Sequence, residues 1–150
     1  MLDENDDPVY LCDRSLNCLQ YADDLILLSE SKEGLQSCLD KLKIYCDNWK
    51  LEVNTKKTKV MVFNSTGCKS NEMFVFNDNL LETVNLYTYL GINMACSGTF
   101  SHAVSDLRDK SLKALFKVKK CLNSTNLKPH IMLKMYDQLI KPISLYGSEV

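Results

Sequence analysis

The chain has 150 residues, 45% of them hydrophobic and 25% charged, with a formal net charge of −1, enough for one ordinary core or for a modest domain plus part of another. Its longest uninterrupted apolar runs, such as Leu25-Ile26-Leu27-Leu28, are far too short to span a membrane, and the start Leu2-Asp3-Glu4-Asn5-Asp6-Asp7 is acidic where a signal peptide is basic. Both features argue against a membrane helix and a secretory leader, so the expected location is intracellular, in the nucleus, the cytoplasm or both.

Residues 15–28, SLNCLQYADDLILL, place apolar side chains on both sides of a short polar centre and predict two strands joined by a very tight turn. From Ser31, an N-cap residue, Leu35, Cys38, Leu39, Leu42, Tyr45, Cys46 and Trp49 recur at three- and four-residue intervals. That spacing predicts a helix of about four to five turns with one apolar face, laid against a sheet. Strands are expected at 51–53 and 59–63, separated by the polar Asn54-Thr55-Lys56-Lys57-Thr58. A hairpin is expected from Phe74-Val75-Phe76 to Leu80-Leu81 around Asn77-Asp78-Asn79, then a further strand from Leu86 to Ile92 with Gly91 near its end.

Beyond residue 97 the strand pattern stops. Residues 101–122 read as a long amphipathic helix, with Leu107, Ala114, Leu115, Val118 and Leu122 on one stripe and Lys110, Lys113, Lys117 and Lys120 on another. A last helix is expected to open with Pro129 in its first turn and to stop at Pro142. The layout β-β-α-β-β-β-β-α-α is an α+β arrangement followed by helices. Charge divides along the same line: residues 1–97 hold 9 Lys+Arg against 15 Asp+Glu, and residues 98–150 hold 9 against 4, so −6 faces +5. An acidic half able to hold metal ions beside a basic half able to hold a phosphate backbone suits a nucleic-acid enzyme, and many ordinary proteins are equally uneven. The seven cysteines, at positions 12, 18, 38, 46, 68, 96 and 121, include no Cys-x-x-Cys pair, and His102 and His130 lie far from a second ligand. The expectation is reduced cysteine, several of them buried, and no zinc site.

The chemistry concentrates at Tyr21-Ala22-Asp23-Asp24. Adjacent aspartates inside an apolar hairpin repel each other and need a partner to offset lost hydration. Neighbouring side chains in a strand point to opposite faces, so the two carboxylates converge only at the turn itself. Converging carboxylates bind a hard divalent ion, and Mg²⁺ accepts one or two of them alongside phosphate oxygens and water. The plain alternative is an exposed Asp-Asp turn with no metal.

The ordered set around this string resembles the reverse transcriptases of non-LTR, LINE-type retrotransposons over nearly the whole chain. LQYADDLILLSES is similar to their catalytic hairpin, and SKEGLQSCLDKLKIYCDNWKLEVNTKKTKVMVF to the helix, strand and Asn-x-x-Lys-Thr segment that follow. LYTYLGI is similar to a Tyr-x-Tyr-Leu-Gly primer-grip element, and Leu145-Tyr146-Gly147-Ser148-Glu149 to a segment found after the thumb helices. The resemblance implies a partial palm, antiparallel hairpins with a packed helix, over residues 1–97, and a truncated, helical, thumb-like segment over 98–150. It implies RNA-directed DNA polymerisation by a two-metal mechanism in the parent enzyme, with Mg²⁺ or Mn²⁺, an RNA template, a DNA primer and deoxynucleoside triphosphates.

By position, Asp23 would be the metal-ligating carboxylate and Asp24 its neighbour, with a supporting part in placing the metal or primer end. Tyr21 would lie beside the primer terminus and incoming nucleotide; a tyrosine in the hairpin core suits the same pattern. Lys57 would contact the triphosphate or protonate pyrophosphate, with a solvated loop lysine as the alternative and Lys56 as the alternative actor. Tyr87, Tyr89, Leu90 and Gly91 would form the primer grip, and the tyrosines equally suit packing between sheet and helix. Lys110, Lys113, Lys117 and Lys120 would contact phosphates, or form an ordinary solvated helix face.

Full enzymes of this family also carry an essential aspartate on an earlier palm strand, a template-binding segment, fingers, an endonuclease and a zinc knuckle. Asp3, Asp6, Asp7 and Asp13 lack the Asp-x-x-x-aromatic setting of that strand. The 150-residue chain alone is therefore expected not to polymerise. The alternative in another class is a non-catalytic nucleic-acid-binding or interaction module derived from a retroelement.

Overall fold

The computed structural model describes residues 7–64, 72–122 and 128–148; Asp3, Asp6, Cys68 and Glu149, weighed above, lie outside them. The described residues form two compact units, one within residues 7–62 and 72–84 and one within residues 63–64, 85–122 and 128–148. The architecture is α+β, made of antiparallel hairpins and helices.

The first unit opens with a hairpin the sequence did not signal, β1 (Val9–Leu11) and β2 (Arg14–Leu16), turning through Cys12 at φ 53°. The next hairpin, β3 (Cys18–Tyr21) and β4 (Asp24–Leu27), falls where alternation and the polar centre placed it. Helix α1 runs from Lys32 to Trp49. Ser31 caps it as expected, its Oγ accepting from Gly34 N at 3.1 Å, while Lys50 ends it in the left-handed conformation.

The face read from spacing is the face that packs. Leu39, Leu42 and Cys46 of α1 meet Val60, Phe74, Phe76 and Leu81 in one core, with Leu25, Leu27, Leu35, Val53 and Val62 against it. Phe74 is 1% exposed and forms its centre. Trp49 departs from the pattern: it is 67% exposed, because the helix ends there and its ring leans on half-buried Tyr45 at a centroid distance of 6.2 Å.

Three strands support the helix. β5 (Lys59–Val60) runs parallel to β7 (Asn79–Thr83), and β6 (Phe74–Phe76) pairs antiparallel with β7, giving the order β5-β7-β6. Residues 51–53 form no strand, and only two residues of the expected 59–63 strand are paired. The left-handed Lys50 folds the chain back so that Leu51 N donates to Cys46 O, leaving this stretch without a ladder partner while Val53 still packs on the core. The β6–β7 loop is two residues, Asn77 and Asp78, both at positive φ, so Asn79 belongs to the strand.

In the second unit the expected single strand from Leu86 to Ile92 is instead a hairpin. β8 (Leu86–Tyr89) and β9 (Ile92–Ala95) pair antiparallel around Leu90 and Gly91. Helix α2 (Ser101–Leu122) matches its expected bounds and packs on β9 and on the C-terminal helical segments, burying Ala103. Leu107, Ala114, Val118 and Leu122 of its stripe are half-buried, whereas Leu115 is exposed.

Pro142 does not stop the last helix. Helix α3 (Pro129–Met135) passes into a π segment, Tyr136–Ile140, and then into α4 (Lys141–Ser144). The wider π turn resets the hydrogen-bond register, so Pro142 falls in the first turn of a restarted helix, where its missing N–H needs no partner. Ile140, at the junction, is buried.

Candidate functional site

The β3–β4 turn is as short as a hairpin allows. Tyr21 pairs directly with Asp24, leaving Ala22 and Asp23 as the loop. Ala22 takes φ 54°, a left-handed value that an L-residue holds at a cost of roughly 1–2 kcal/mol. The register assigns the faces. Cys18, Gln20, Leu25 and Leu27 share one side, and Leu25 and Leu27 are the residues packed on the core. Leu19, Tyr21, Asp24 and Ile26 therefore share the side turned away from it.

Tyr21 is 64% exposed, which removes the core reading of this tyrosine and leaves its ring free beside Asp24. Asp23 and Asp24 are both exposed at the tip. Two adjacent carboxylates on an open turn make a partial set of hard oxygen donors, suited to a divalent ion that takes its other ligands from phosphate and water. Among the described residues no group of three or more His, Cys, Asp or Glu side chains is arranged to hold a metal.

One upstream carboxylate has another use. Asp7 Oδ2 accepts from Ser29 Oγ at 3.0 Å, from Ser31 N at 2.7 Å and from Ser31 Oγ. It thus ties the exit of β4 to the N-terminus of α1, where a negative charge also suits the helix dipole. The Ser31 hydroxyl holds its carboxyl below the usual range, against a smaller opposing push from burial. Gly34 makes room for this arrangement: a Cβ there would lie 2.4 Å from Ser29 Oγ and 2.6 Å from Asp7 Oδ2. Sequence reasoning missed the link because its partners lie 22 and 24 residues away.

The Asn-x-x-Lys-Thr segment is a built loop. Asn54 Oδ1 accepts from Lys57 N at 3.2 Å, and Asn54 O accepts from Lys57 N at 3.1 Å and Thr58 N at 3.0 Å. The asparagine shapes the turn in the manner of an Asx motif. Lys56 and Lys57 are both exposed, and neither forms an ion pair among the described residues.

In the second unit the Tyr-x-Tyr-Leu-Gly string forms β8 and its turn. Tyr87 and Tyr89 lie on one face with Ile92 and Met94, and Thr88 and Asn93 bond to each other on the opposite face. Tyr87 is exposed and Tyr89 half-buried, so the tyrosine face is only partly packed. On α2, Lys110, Lys113, Lys117 and Lys120 are all exposed; Lys110 is held 2.7 Å from Asp106 in an i,i+4 pair. The helix carries six basic side chains against two acidic ones.

A family model described as reverse transcriptase (RNA-dependent DNA polymerase) matches residues 1–94, which include both hairpin aspartates, the Asn54 loop and the β8 turn. The chain belongs to the reverse transcriptase family. Enzymes of this family act on a nucleic-acid template with nucleotide substrates and use divalent metal ions. The chain is similar to the RNA-directed DNA polymerase from mobile element jockey of Drosophila melanogaster, 28% identical over 87% of this chain and 15% of that protein. It is also similar to an uncharacterized transposon-derived protein of Caenorhabditis elegans, 28% identical over 91% of this chain and 49% of that one. The jockey polymerase of Drosophila funebris is 25% identical over 87% of this chain and 15% of its own length. The chain thus spans from about a seventh to about half of the curated relatives it matches. These mobile-element relatives agree with the non-LTR retrotransposon type read from the motifs. No solved structure matches the chain. Among the described residues no helix is long and apolar enough to cross a membrane.

Proposed function

We propose that this reverse transcriptase chain contributes the C-terminal palm and the start of the thumb to an RNA-directed DNA polymerase, and that the β3–β4 turn is part of its catalytic centre. The observation that carries the reading is the hairpin tip. Asp23 is exposed in the two-residue loop and Asp24 is exposed as the first residue of β4, with Tyr21 opposite Asp24 on the face away from the core. Palm and thumb would divide near residue 97.

Asp23 and Asp24 would hold the divalent ion, Mg²⁺ or Mn²⁺, together with phosphate oxygens. When bound, two such ions would supply positive charge to offset the negative charge developing on the attacking 3′ oxygen and the departing pyrophosphate. The hairpin offers ligands for part of that arrangement, since two carboxylates at one turn cannot enclose both ions. A third carboxylate from a neighbouring strand is required, and the 150-residue chain alone is inactive for that reason.

Tyr21 would pack its exposed ring against the sugar or base at the primer end. The Asn54 turn would hold Lys57 with its ammonium free to meet the triphosphate, by charge or by donating a proton to pyrophosphate. Tyr87, Tyr89, Leu90 and Gly91 would position the primer strand, and Lys110, Lys113, Lys117 and Lys120 would follow its phosphates. Metal contact is tested by adding Mn²⁺ to the isotopically labelled chain and reading paramagnetic broadening. Amides of residues 21–24 should broaden first and Asp23→Asn should abolish the effect; broadening indifferent to Asp23→Asn contradicts the assignment.

The basic excess on α2 supports a second reading, a binding module in which the lysines matter and the aspartates do not. Lys113→Glu with Lys117→Glu should then weaken nucleic-acid affinity and flatten its salt dependence, while Asp23→Asn leaves binding unchanged.

A further inference from the structure

The turn between β8 and β9 is unusual for its residues. Leu90 takes φ 46° and Gly91 φ 82°, the pattern of a type I′ turn. Glycine adopts this readily, but leucine is a bulky residue rarely found there and persists only where its surroundings hold it. The holding group comes from the far end of the unit. Tyr146 donates its hydroxyl to Leu90 O at 2.6 Å, across 56 residues of sequence. Its ring lies against Gly91, where an added Cβ would stand 3.5 Å from Tyr146 Cε1. The next residue, Gly147 at φ 71°, backs onto Ile92 so closely that a Cβ would lie 2.5 Å from Ile92 Cδ1.

A type I′ turn converts to type II′ by rotating its central peptide half a turn, with the strands in place. The central peptide here is Leu90–Gly91, and its carbonyl is the group Tyr146 captures. Because the peptide is trans, fixing the carbonyl on one side directs the Gly91 N–H to the other. That N–H belongs to the second loop residue and lies outside the strand ladder.

We infer that Tyr146 is a positioning residue for the primer-grip turn: its hydroxyl fixes the Leu90–Gly91 peptide so that the Gly91 N–H is presented to a phosphate oxygen of the nucleic-acid strand. The inference rests on reading residues 87–91 as a primer-contacting element. It gives a task to the Leu145–Ser148 segment, which the polymerase reading leaves without one.

The test uses the 150-residue chain, a DNA primer annealed to an RNA template, and amide NMR. Tyr146→Phe keeps the ring and removes only the hydroxyl. It should shift or broaden the Gly91 amide, leave the Phe74 and Val60 amides unchanged, and weaken duplex binding about two- to tenfold, the range of one hydrogen bond. Asparagine tolerates the left-handed conformation, so in a Leu90→Asn background the same Tyr146→Phe change should cost less than about twofold. A structural docking role for Tyr146 would not be rescued in this way, and equal losses in both backgrounds overturn the proposal. It is also overturned if Tyr146→Phe binds like the parent while Tyr89→Ala binds more weakly, or if removing this one exposed hydroxyl unfolds the chain. If neither Tyr146→Phe nor Tyr87→Ala with Tyr89→Ala alters binding, the primer-grip reading itself fails.

Discussion

Replacing Ala22 by glycine should tighten the β3–β4 hairpin, although glycine within a hairpin usually loosens one. Ala22 holds φ 54°, which costs an L-residue roughly 1–2 kcal/mol and glycine almost nothing. Against this, glycine has roughly 0.5–1 kcal/mol more backbone freedom to lose on folding. The Ala22 side chain is exposed, so no burial is forfeited. The balance is centred on about 0.75 kcal/mol in favour of glycine, a change of about three- to fourfold in the opening equilibrium. The far end of the hairpin carries the readout: Leu28 N donates to Asn17 O at 2.8 Å, and its exchange with deuterated solvent reports opening. Ala22→Gly should slow that exchange by this factor. Ala22→Val should speed it by at least as much, because a β-branched side chain is still less tolerant of a left-handed φ. Faster exchange in the glycine variant, or slower in the valine one, would refute the left-handed turn and with it the tip geometry that exposes both aspartates.

Phe74, 1% exposed at the centre of the first unit, should cost about 3–5 kcal/mol when cut to alanine; an unchanged urea midpoint would contradict the core described here. The Asp7 carboxyl is held below its ordinary value of 3.8, so its contribution is complete above that pH and is lost as the pH falls through the lower folded value. The Gly34 amide should therefore lose exchange protection on acidification in the parent chain and show a flatter profile in Asp7→Asn, whereas parallel profiles would count against the cap. Burial, reinforced by the charge of Asp47, pushes the Cys46 thiol above its ordinary value, and Cys12 and Cys121 are exposed. A thiol reagent at neutral pH should label those two rapidly and reach Cys46 only on unfolding.

What could be read from the sequence was local. Ser31 announces the start of α1, and the positions from Leu35 to Cys46 mark its buried face, because a cap and a helical period act within a few residues. The tight turn at Ala22-Asp23 was legible for the same reason, and so was the span of α2. What escaped was set by distant partners. Nothing near Leu90 marks it as a left-handed residue, since leucine extends a strand pattern and its restraint is Tyr146. Asp7 reads as a member of an acidic run until Ser29 and Ser31 fold onto it. Pro142 reads as a stop, yet a π segment ahead of it supplies a register in which proline is acceptable. The parallel pairing of β5 with β7 joins strands more than twenty residues apart, and no local period encodes it.

The central claim, that the Asp23-Asp24 turn is half of a polymerase centre awaiting a carboxylate from another strand, is tested by transplantation. The part of the chain that matches the Drosophila melanogaster jockey polymerase, 87% of it, replaces the corresponding segment there, and primer extension on an RNA template is measured with Mg²⁺. The account predicts incorporation by the chimera, a loss of about a hundred- to a thousandfold in its Asp23→Asn form, the scale of a lost electrostatic contact to the reacting centre, and none by the 150-residue chain alone. Extension by the isolated chain, or by a chimera indifferent to Asp23→Asn, would contradict it.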